Sequence, residues 1–274
     1  MYQLRITAFI DILGFRNIVE KTKTDIDFRN KIFDVLNSIK NEQITNETFG
    51  QVNKEIITDP KELAEVNELH NMLSQRLKQE SSLQVTHFSD SIVLSIGLEN
   101  DMYALSMLEY ISRLIYRLWR DFKILIRGAV VVDELVHIEN GALFGPALVK
   151  AYDFESNLAI YPRIVLDELC YNIIRNSPSY QGMTHMVKPF SDSLTVGSKT
   201  HQIKNGCEMN LATSIDHQLN SLFAIHPELR KLTFDELKNS TTQLEQLASN
   251  SGSKVKEKYE YLINEIAITK YPEI

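Results

Sequence analysis

The stretch Arg5 to Arg16, RITAFIDILGFR, constrains this chain more than any other. Ile6, Thr7, Ala8, Phe9 and Ile10 are β-branched or apolar and read as a strand. Asp11 closes the strand, Ile12-Leu13-Gly14 turns, and a helical pattern begins near Phe15. A strand that ends in a carboxylate and passes through glycine into a helix suits a metal ion and a phosphate. The carboxylate supplies hard oxygen ligands for Mg²⁺ or Mn²⁺. The N–H groups at the helix start, near Leu13, Gly14 and Phe15, point at an anion, and the helix dipole favours it. The same residues also suit a buried strand whose Asp merely caps the helix.

A second stretch bears on that choice. Leu83 to Ile96, LQVTHFSDSIVLSI, reads as two strands joined by a tight polar turn at Ser89-Asp90-Ser91. Asp90 sits at the tip, where turn chemistry alone would account for it. If the two strands neighbour the first in one sheet, Asp11 and Asp90 meet. Two carboxylates so placed hold a pair of metal ions about 3.5–4 Å apart, the arrangement used in phosphoryl transfer. A short echo, Phe190-Ser191-Asp192-Ser193, repeats the tetrapeptide around Asp90. Asp192 follows Pro189 and precedes Gly197, which suits a loop or an edge strand.

Three segments, AFIDILGF, FSDSIVLSI and RGAVVVDELVHIENGALFGPALVKAYDFES, together resemble the catalytic domain of class III nucleotide cyclases. In that family a D-I-x-G-F element carries the first metal Asp and a hairpin carries the second. A later glycine-flanked hairpin leads into a helix of the form F-G-x-x-V-N-x-A-x-R-L-E-S. The details resemble most the bacterial pyrimidine cyclases of anti-phage Pycsar systems. The resemblance spans roughly residues 4–166 and implies a ferredoxin-like α+β sandwich. It implies Asp11, Asp90 and the Ile12 carbonyl as ligands of two Mn²⁺ or Mg²⁺ ions. Leu13, Gly14 and Phe15 would be the phosphate-binding amides. It also implies a homodimer with shared sites and a separate effector activated by the cyclic nucleotide.

The departures from the family pattern carry information. Aligned through Gly145 and Glu155-Ser156, the Asn and Arg of the late helix are replaced by Val149 and Asp153. Lys150, Arg127, Arg163 and Arg16 are the candidates for the missing transition-state cation. Thr86 and Ala142 stand where purine cyclases carry their base-reading residues, and they match neither the adenine nor the guanine set. A site built to pair with a base rejects the wrong one by stranding polar groups. The resemblance therefore implies UTP or CTP as substrate and cyclic UMP or cyclic CMP as product, with UTP the preferred reading. The alternative is a catalytically inactive cyclase-like module that binds a nucleotide and regulates a partner. A diguanylate cyclase or small polymerase is opposed by Ser89-Asp90-Ser91, which lacks a Gly-Gly-Asp/Glu hairpin. A scaffold with turn-capping carboxylates is the plainest reading.

The remaining sequence sets boundaries. A formal net charge of −7 opposes a broad nucleic-acid surface. Two cysteines, Cys170 and Cys207, lack zinc spacing and read as core thiols of a reducing compartment. No apolar run is long enough for a membrane span, and the N-terminus lacks a signal-peptide pattern, so a cytoplasmic protein is expected. Phe28, Ile32, Val35, Leu36 and Ile39 form one helical stripe. Residues 41–80 read as an insertion, polar first and helical from Lys61 to Lys78, with His70 beside its apolar face. Helices are expected over Asp101–Asp121 and Pro146–Ser156, a central strand over Phe122–Val132, and a turn at Asn140-Gly141. Arg163–Leu166 reads as a further strand. The expected division is a catalytic domain over 1–170 and a mostly helical extension over 171–274, with helices at Met209–Leu222, Phe234–Ala248 and Val255–Ile268.

Overall fold

Alternation decides the first element. In β1 (Gln3–Ile12), Ile6, Ala8, Ile10 and Ile12 face one side, and Arg5, Thr7, Phe9 and Asp11 face the other. The computed structural model describes residues 1–40, 60–61, 64, 83–99, 102–138, 140–177, 184–196, 199–220 and 227–268. After β1 the chain forms α1 (Phe15–Thr24) and α2 (Ile26–Lys40), then β2 (Gln84–Phe88) and β3 (Ser91–Gly97). It continues through α3 (Met102–Phe122), β4 (Ile126–His137), β5 (Leu143–Phe144), α4 (Pro146–Asn157) and β6 (Arg163–Leu166). It ends with α5 (Glu168–Asn176), β7 (Lys188–Val196), β8 (Lys199–Asn210), α6 (Leu211–Asn220), α7 (Pro227–Ser249) and α8 (Ser253–Ile268).

The fold is the expected α+β arrangement. The described strands form one sheet in the order β2-β3-β1-β4-β6-β8-β7, with β5 beside β4. Every pairing is antiparallel except β4 with β6. One face carries the larger core. There Leu105, Leu108, Ile111 and Trp119 of α3 pack on Ile6, Ala8, Ile10, Val130 and Val132. Each large aliphatic side chain so buried contributes roughly 1.5–3 kcal/mol. The other face carries a smaller cluster, in which Ala147, Ala151 and Phe154 of α4 cover Ala129, Val131 and Val165. Gly128 allows β1 and β4 to meet closely, since a Cβ there would stand 2.3 Å from the Phe9 carbonyl oxygen.

Two expectations for the C-terminal portion change. Helices α5 to α8 occupy much of the expected helical extension over 171–274, but the chain there also forms the β7–β8 pair. Lys199–Asn205, KTHQIKN, has a single aliphatic residue and no alternation, so no strand signal was available. The sheet therefore crosses the boundary expected at residue 170, because β8 pairs with β6 from Arg163↔Asn210 to Leu166↔Cys207. The central strand expected over Phe122–Val132 starts at Ile126 and runs on to His137, with α3 extending to Phe122. The 41–80 insertion, including His70, lies outside the described residues except for 60, 61 and 64. No described helix is long and apolar enough to cross a membrane. Cys170 and Cys207 are both free and buried.

Candidate active site

Asp11 lies one residue before the end of β1, an interior strand of the sheet. Its register partners are Ser91 on β3 and Arg127 on β4. Asp90 occupies the turn between β2 and β3, after Ser89 in the left-handed region at φ 56°. The Ile12 N–H donates to the Asp90 carbonyl at 2.9 Å, so the hairpin tip is tied directly to the end of β1. Asp11 faces the side of the sheet covered by α4, and its side chain keeps 19% of its surface exposed.

A cation and a third carboxylate complete this end of the sheet. Arg127 donates from Nε to Asp11 Oδ2 at 3.0 Å, and its Nη2 stands 2.8 Å from Glu155 Oε1. A longer contact of 3.5 Å joins Arg127 Nη1 to the Ala159 carbonyl. Glu155 reaches the site from α4 and is nearly fully buried. Burial is the main reason its carboxyl is pushed above the usual range; Ser156 and Arg127 oppose the shift, and Asp11 and Asp90 add to it. Glu155 thus lies within the field of both aspartates.

The turn into α1 is open toward the same end. Gly14 adopts φ 74° and precedes the helix without a side-chain cap. Its carbonyl accepts from Asn17 and Ile18. The Leu13 N–H is committed to the Leu125 carbonyl at 2.9 Å, which removes it from the expected phosphate-binding amides. The N–H groups of Gly14 and Phe15 have no backbone acceptor among the described residues.

The candidate cations separate by geometry. Lys150 is bonded to Asp167 at 2.6 Å, and Asp167 also caps α5 by accepting from the Cys170 N–H. Arg163 donates to Glu208 at 2.6 Å and to the Leu158 carbonyl at 2.9 Å. Arg16 is exposed on α1. Of the four, Arg127 is the one that touches Asp11. Val149 and Tyr152 project outward from α4 and are exposed, and Tyr152 packs edge-on against Phe9 at 5.6 Å.

Thr86 meets a histidine. Thr86 Oγ1 is 2.8 Å from His137 Nε2, and His137 Nδ1 is 2.8 Å from Ser95 Oγ. Arg5 donates from Nε to the same Ser95 oxygen at 2.8 Å. His137 pairs with Leu143, the neighbour of Ala142. Burial, and then the Arg5 charge, push the imidazole down to about 4, so it is neutral at physiological pH. Sequence reasoning missed Arg5 and His137. The available signal was a charged side chain on the inward face of a core strand.

The far end of the chain also reaches this region. Tyr261 of α8 stacks on Tyr161 with ring centroids 4.7 Å apart and donates its hydroxyl to Glu208 at 2.7 Å. Glu265, one turn further on, is bound by Lys188 at 2.8 Å and by Asn210 at 3.0 Å. Lys258, on the same stripe one turn earlier, is half-buried. Burial is the main cause lowering its pKa; Arg127 adds to the effect, and Asp11 and Glu155 oppose it.

Asp11 and Asp90 offer hard oxygen donors of the kind a divalent cation takes, with Asp11 paired to Arg127. Among the described residues no cluster of three or more His, Cys, Asp and Glu side chains is built to hold a metal alone. One or two carboxylates completed by substrate phosphates is how Mg²⁺ is ordinarily held.

No family model matches the sequence, and no curated protein matches it. Solved structures with a similar chain path include the adenylyl cyclase CyaB from P. aeruginosa, at 12% identity and a TM-score of 0.47, covering 76% of this chain and 94% of that one. An adenylate/guanylate cyclase/hydrolase from Silicibacter pomeroyi is 16% identical with a TM-score of 0.44, covering 77% of this chain and 98% of that one. A bacterial light-regulated adenylyl cyclase is 11% identical with a TM-score of 0.41, covering 81% and 97%.

Proposed function

We propose that this chain is a nucleotide cyclase that converts UTP, or CTP, to the 3′,5′-cyclic monophosphate and pyrophosphate. The observation that carries the proposal is the ion pair of Arg127 with Asp11, next to the Asp90 turn whose backbone carbonyl accepts from Ile12, with the Gly14 and Phe15 amides close by in sequence. In the reaction the ribose 3′-oxygen bonds to the α-phosphorus. The bond from that phosphorus to the α,β-bridging oxygen breaks, pyrophosphate leaves with the electron pair, and the 3′-hydroxyl proton passes to water. Because nucleophile and electrophile belong to one molecule, the site's main task is to hold an in-line geometry.

The chain's own groups divide that task. Asp11 and Asp90, with the Ile12 carbonyl, would hold the divalent cations, Mn²⁺ or Mg²⁺. When bound, such ions supply charge neutralisation and acidify the ribose hydroxyl. The Gly14 and Phe15 amides would bind phosphate oxygens at the start of α1. Arg127, paired with Asp11 in this structure, would turn to the phosphates of a bound nucleotide, a change of partner from carboxylate to phosphate that its planar donor fork suits.

Thr86, Ala142 and the neutral His137 would border the base. Their lack of a purine-reading pair supports a pyrimidine. The outward apolar residues Val149 and Tyr152 on α4 support self-association into a homodimer that shares its sites. In the cell the product would be a cytoplasmic second messenger acting on a separate effector in anti-phage defence. A second reading, an inactive nucleotide-binding module, is favoured by Val149 and Asp153 on α4 and by the resting contact of Arg127 with Asp11. Incubation with Mn²⁺ and each of ATP, GTP, CTP and UTP, with products identified by mass, tests the proposal. A cyclic pyrimidine monophosphate is expected. Nucleotide binding without product would favour the inactive module.

A further inference from the structure

Lys258 stands apart from the other lysines of α8. The residues three and four positions away on its own helix are Lys254, Val255, Tyr261 and Leu262, none of them acidic. The pairing that brings Lys256 to Glu260 at 3.5 Å is therefore closed to it. Among the described residues Lys258 makes no hydrogen bond or close ion pair, yet it is half-buried. Taking an ammonium group partly out of water costs free energy unless a partner is supplied.

The helix that carries it is firmly placed. Tyr261 is held twice, by its stack on Tyr161 and by its bond to Glu208, which Arg163 also holds. Glu265 is clamped between Lys188 and Asn210. These anchors lie on the loop before β6 and on β7 and β8. Arg163 of β6 stands beside Arg127, as the pairing Gly128↔Ile164 requires. Tyr161 follows shortly after Ala159, whose carbonyl touches Arg127. Lys258 lies one turn from Tyr261, about 4.5 Å along the axis, and on the same stripe. Arg127, Asp11 and Glu155 all act electrostatically on its ammonium. Asp11 and Glu155 are already occupied by Arg127, so Lys258 adds a cation to a site whose carboxylates are in use.

We propose that Lys258 is a ligand-binding residue of the Asp11 site, delivered in cis by the C-terminal helix to bind the phosphate chain of the nucleotide. An ammonium with three donors and a flexible stem suits a phosphate chain as a mobile point charge. The proposal rests on the nucleotide reading of the site and names a residue for it that no expected motif contains. It makes the C-terminal helices part of the binding site.

Calorimetric titration of the full chain with inorganic triphosphate in the presence of Mn²⁺ tests this directly. The comparison is wild type against Lys258→Met and Lys258→Arg, with melting temperatures measured on the same samples. Loss of one charge-assisted contact weakens binding by about tenfold or more. Lys258→Met is expected to show that loss at an unchanged melting temperature, and Lys258→Arg to keep most of the affinity. Equal affinity in wild type and Lys258→Met overturns the proposal. So does an equal loss in both variants accompanied by a fall in melting temperature, and so does an absence of triphosphate binding by the wild type. Turnover assayed in parallel separates the two claims. Lys258-dependent triphosphate binding without cyclic product removes the cyclase and leaves Lys258 standing. Cyclic product from a Lys258→Met variant of wild-type affinity does the reverse.

Discussion

Arg127 holds Asp11. Its Nε lies 3.0 Å from the Asp11 Oδ2, on the neighbouring strand of the same sheet. The carboxylate proposed to bind a cation is thus paired with a guanidinium. The contact has two consequences of opposite sign. Arg127→Ala removes a competitor for Asp11, so Mn²⁺ affinity measured without nucleotide is expected to rise or stay unchanged. The same change removes a cation that would meet phosphate charge, so turnover is expected to fall by about 10³-fold or more. Mn²⁺ titration and kcat on one preparation check both. A variant with weaker Mn²⁺ binding and unchanged kcat contradicts the assignment.

Lys150 gives the contrasting case. Its bond to Asp167 at 2.6 Å serves the start of α5, where Asp167 also accepts from the Cys170 N–H. Lys150→Met is expected to leave kcat within about threefold of wild type and to cost about 1–3 kcal/mol of stability, since Asp167 is left buried without its cation. Urea unfolding measures the loss. A large fall in kcat at unchanged stability would place Lys150 in the chemistry instead.

His137 makes stability depend on pH. Burial and the Arg5 charge push its pKa from 6.5 down to about 4 in the folded chain. Between these values the unfolded chain binds the proton and the folded chain does not. The contribution of His137 is therefore fully present above about pH 6.5 and is lost as pH falls toward 4. Unfolding free energies of wild type and His137→Gln across that window are expected to converge as pH falls. A constant difference from pH 7 to pH 4 would show that His137 does not titrate in this way.

Gly128 sets how closely β1 and β4 approach. A methyl group there would meet the Phe9 carbonyl oxygen at 2.3 Å and Ile164 at 3.0 Å. Gly128→Ala is expected to cost about 1–3 kcal/mol or more, as overpacking does. It also shifts Arg127 relative to Asp11, because it lies next to Arg127 in the register. Thermal unfolding together with Mn²⁺ affinity reports both effects. An Ala variant with wild-type values in both would contradict the close approach.

The parts of the site that are local in sequence were the legible ones. The positions of Asp11 near a strand end and Asp90 in a hairpin turn follow from alternation and turn chemistry, and the β1–β3 pairing sets Asp11 opposite Ser91, the neighbour of Asp90. Arg127 was visible only as one of four cations. Choosing among them needs the β1–β4 register and the ion pairs that occupy Lys150 and Arg163, none of which is local. The loss of Leu13 from the amide set depends on a bond to Leu125, far along the chain. Lys258 had no signal at all, because it comes within the electrostatic reach of Asp11 only after β6 and β8 have joined the sheet and α8 has docked through Tyr261 and Glu265. The β7–β8 pair went unread for the related reason that its polar residues gain strand structure from their partners rather than from their own pattern.

The most direct test of the central claim, that Asp11 and Asp90 form a metal-dependent cyclising centre, is a single-turnover reaction with UTP and Mn²⁺. Cyclic monophosphate and pyrophosphate would be counted together in wild type, Asp11→Asn and Asp90→Asn. The two products are expected in equal amounts from the wild type, and neither from either variant at retained fold. Cyclic product surviving in both variants, or no product from a folded wild type with UTP or CTP, would contradict it.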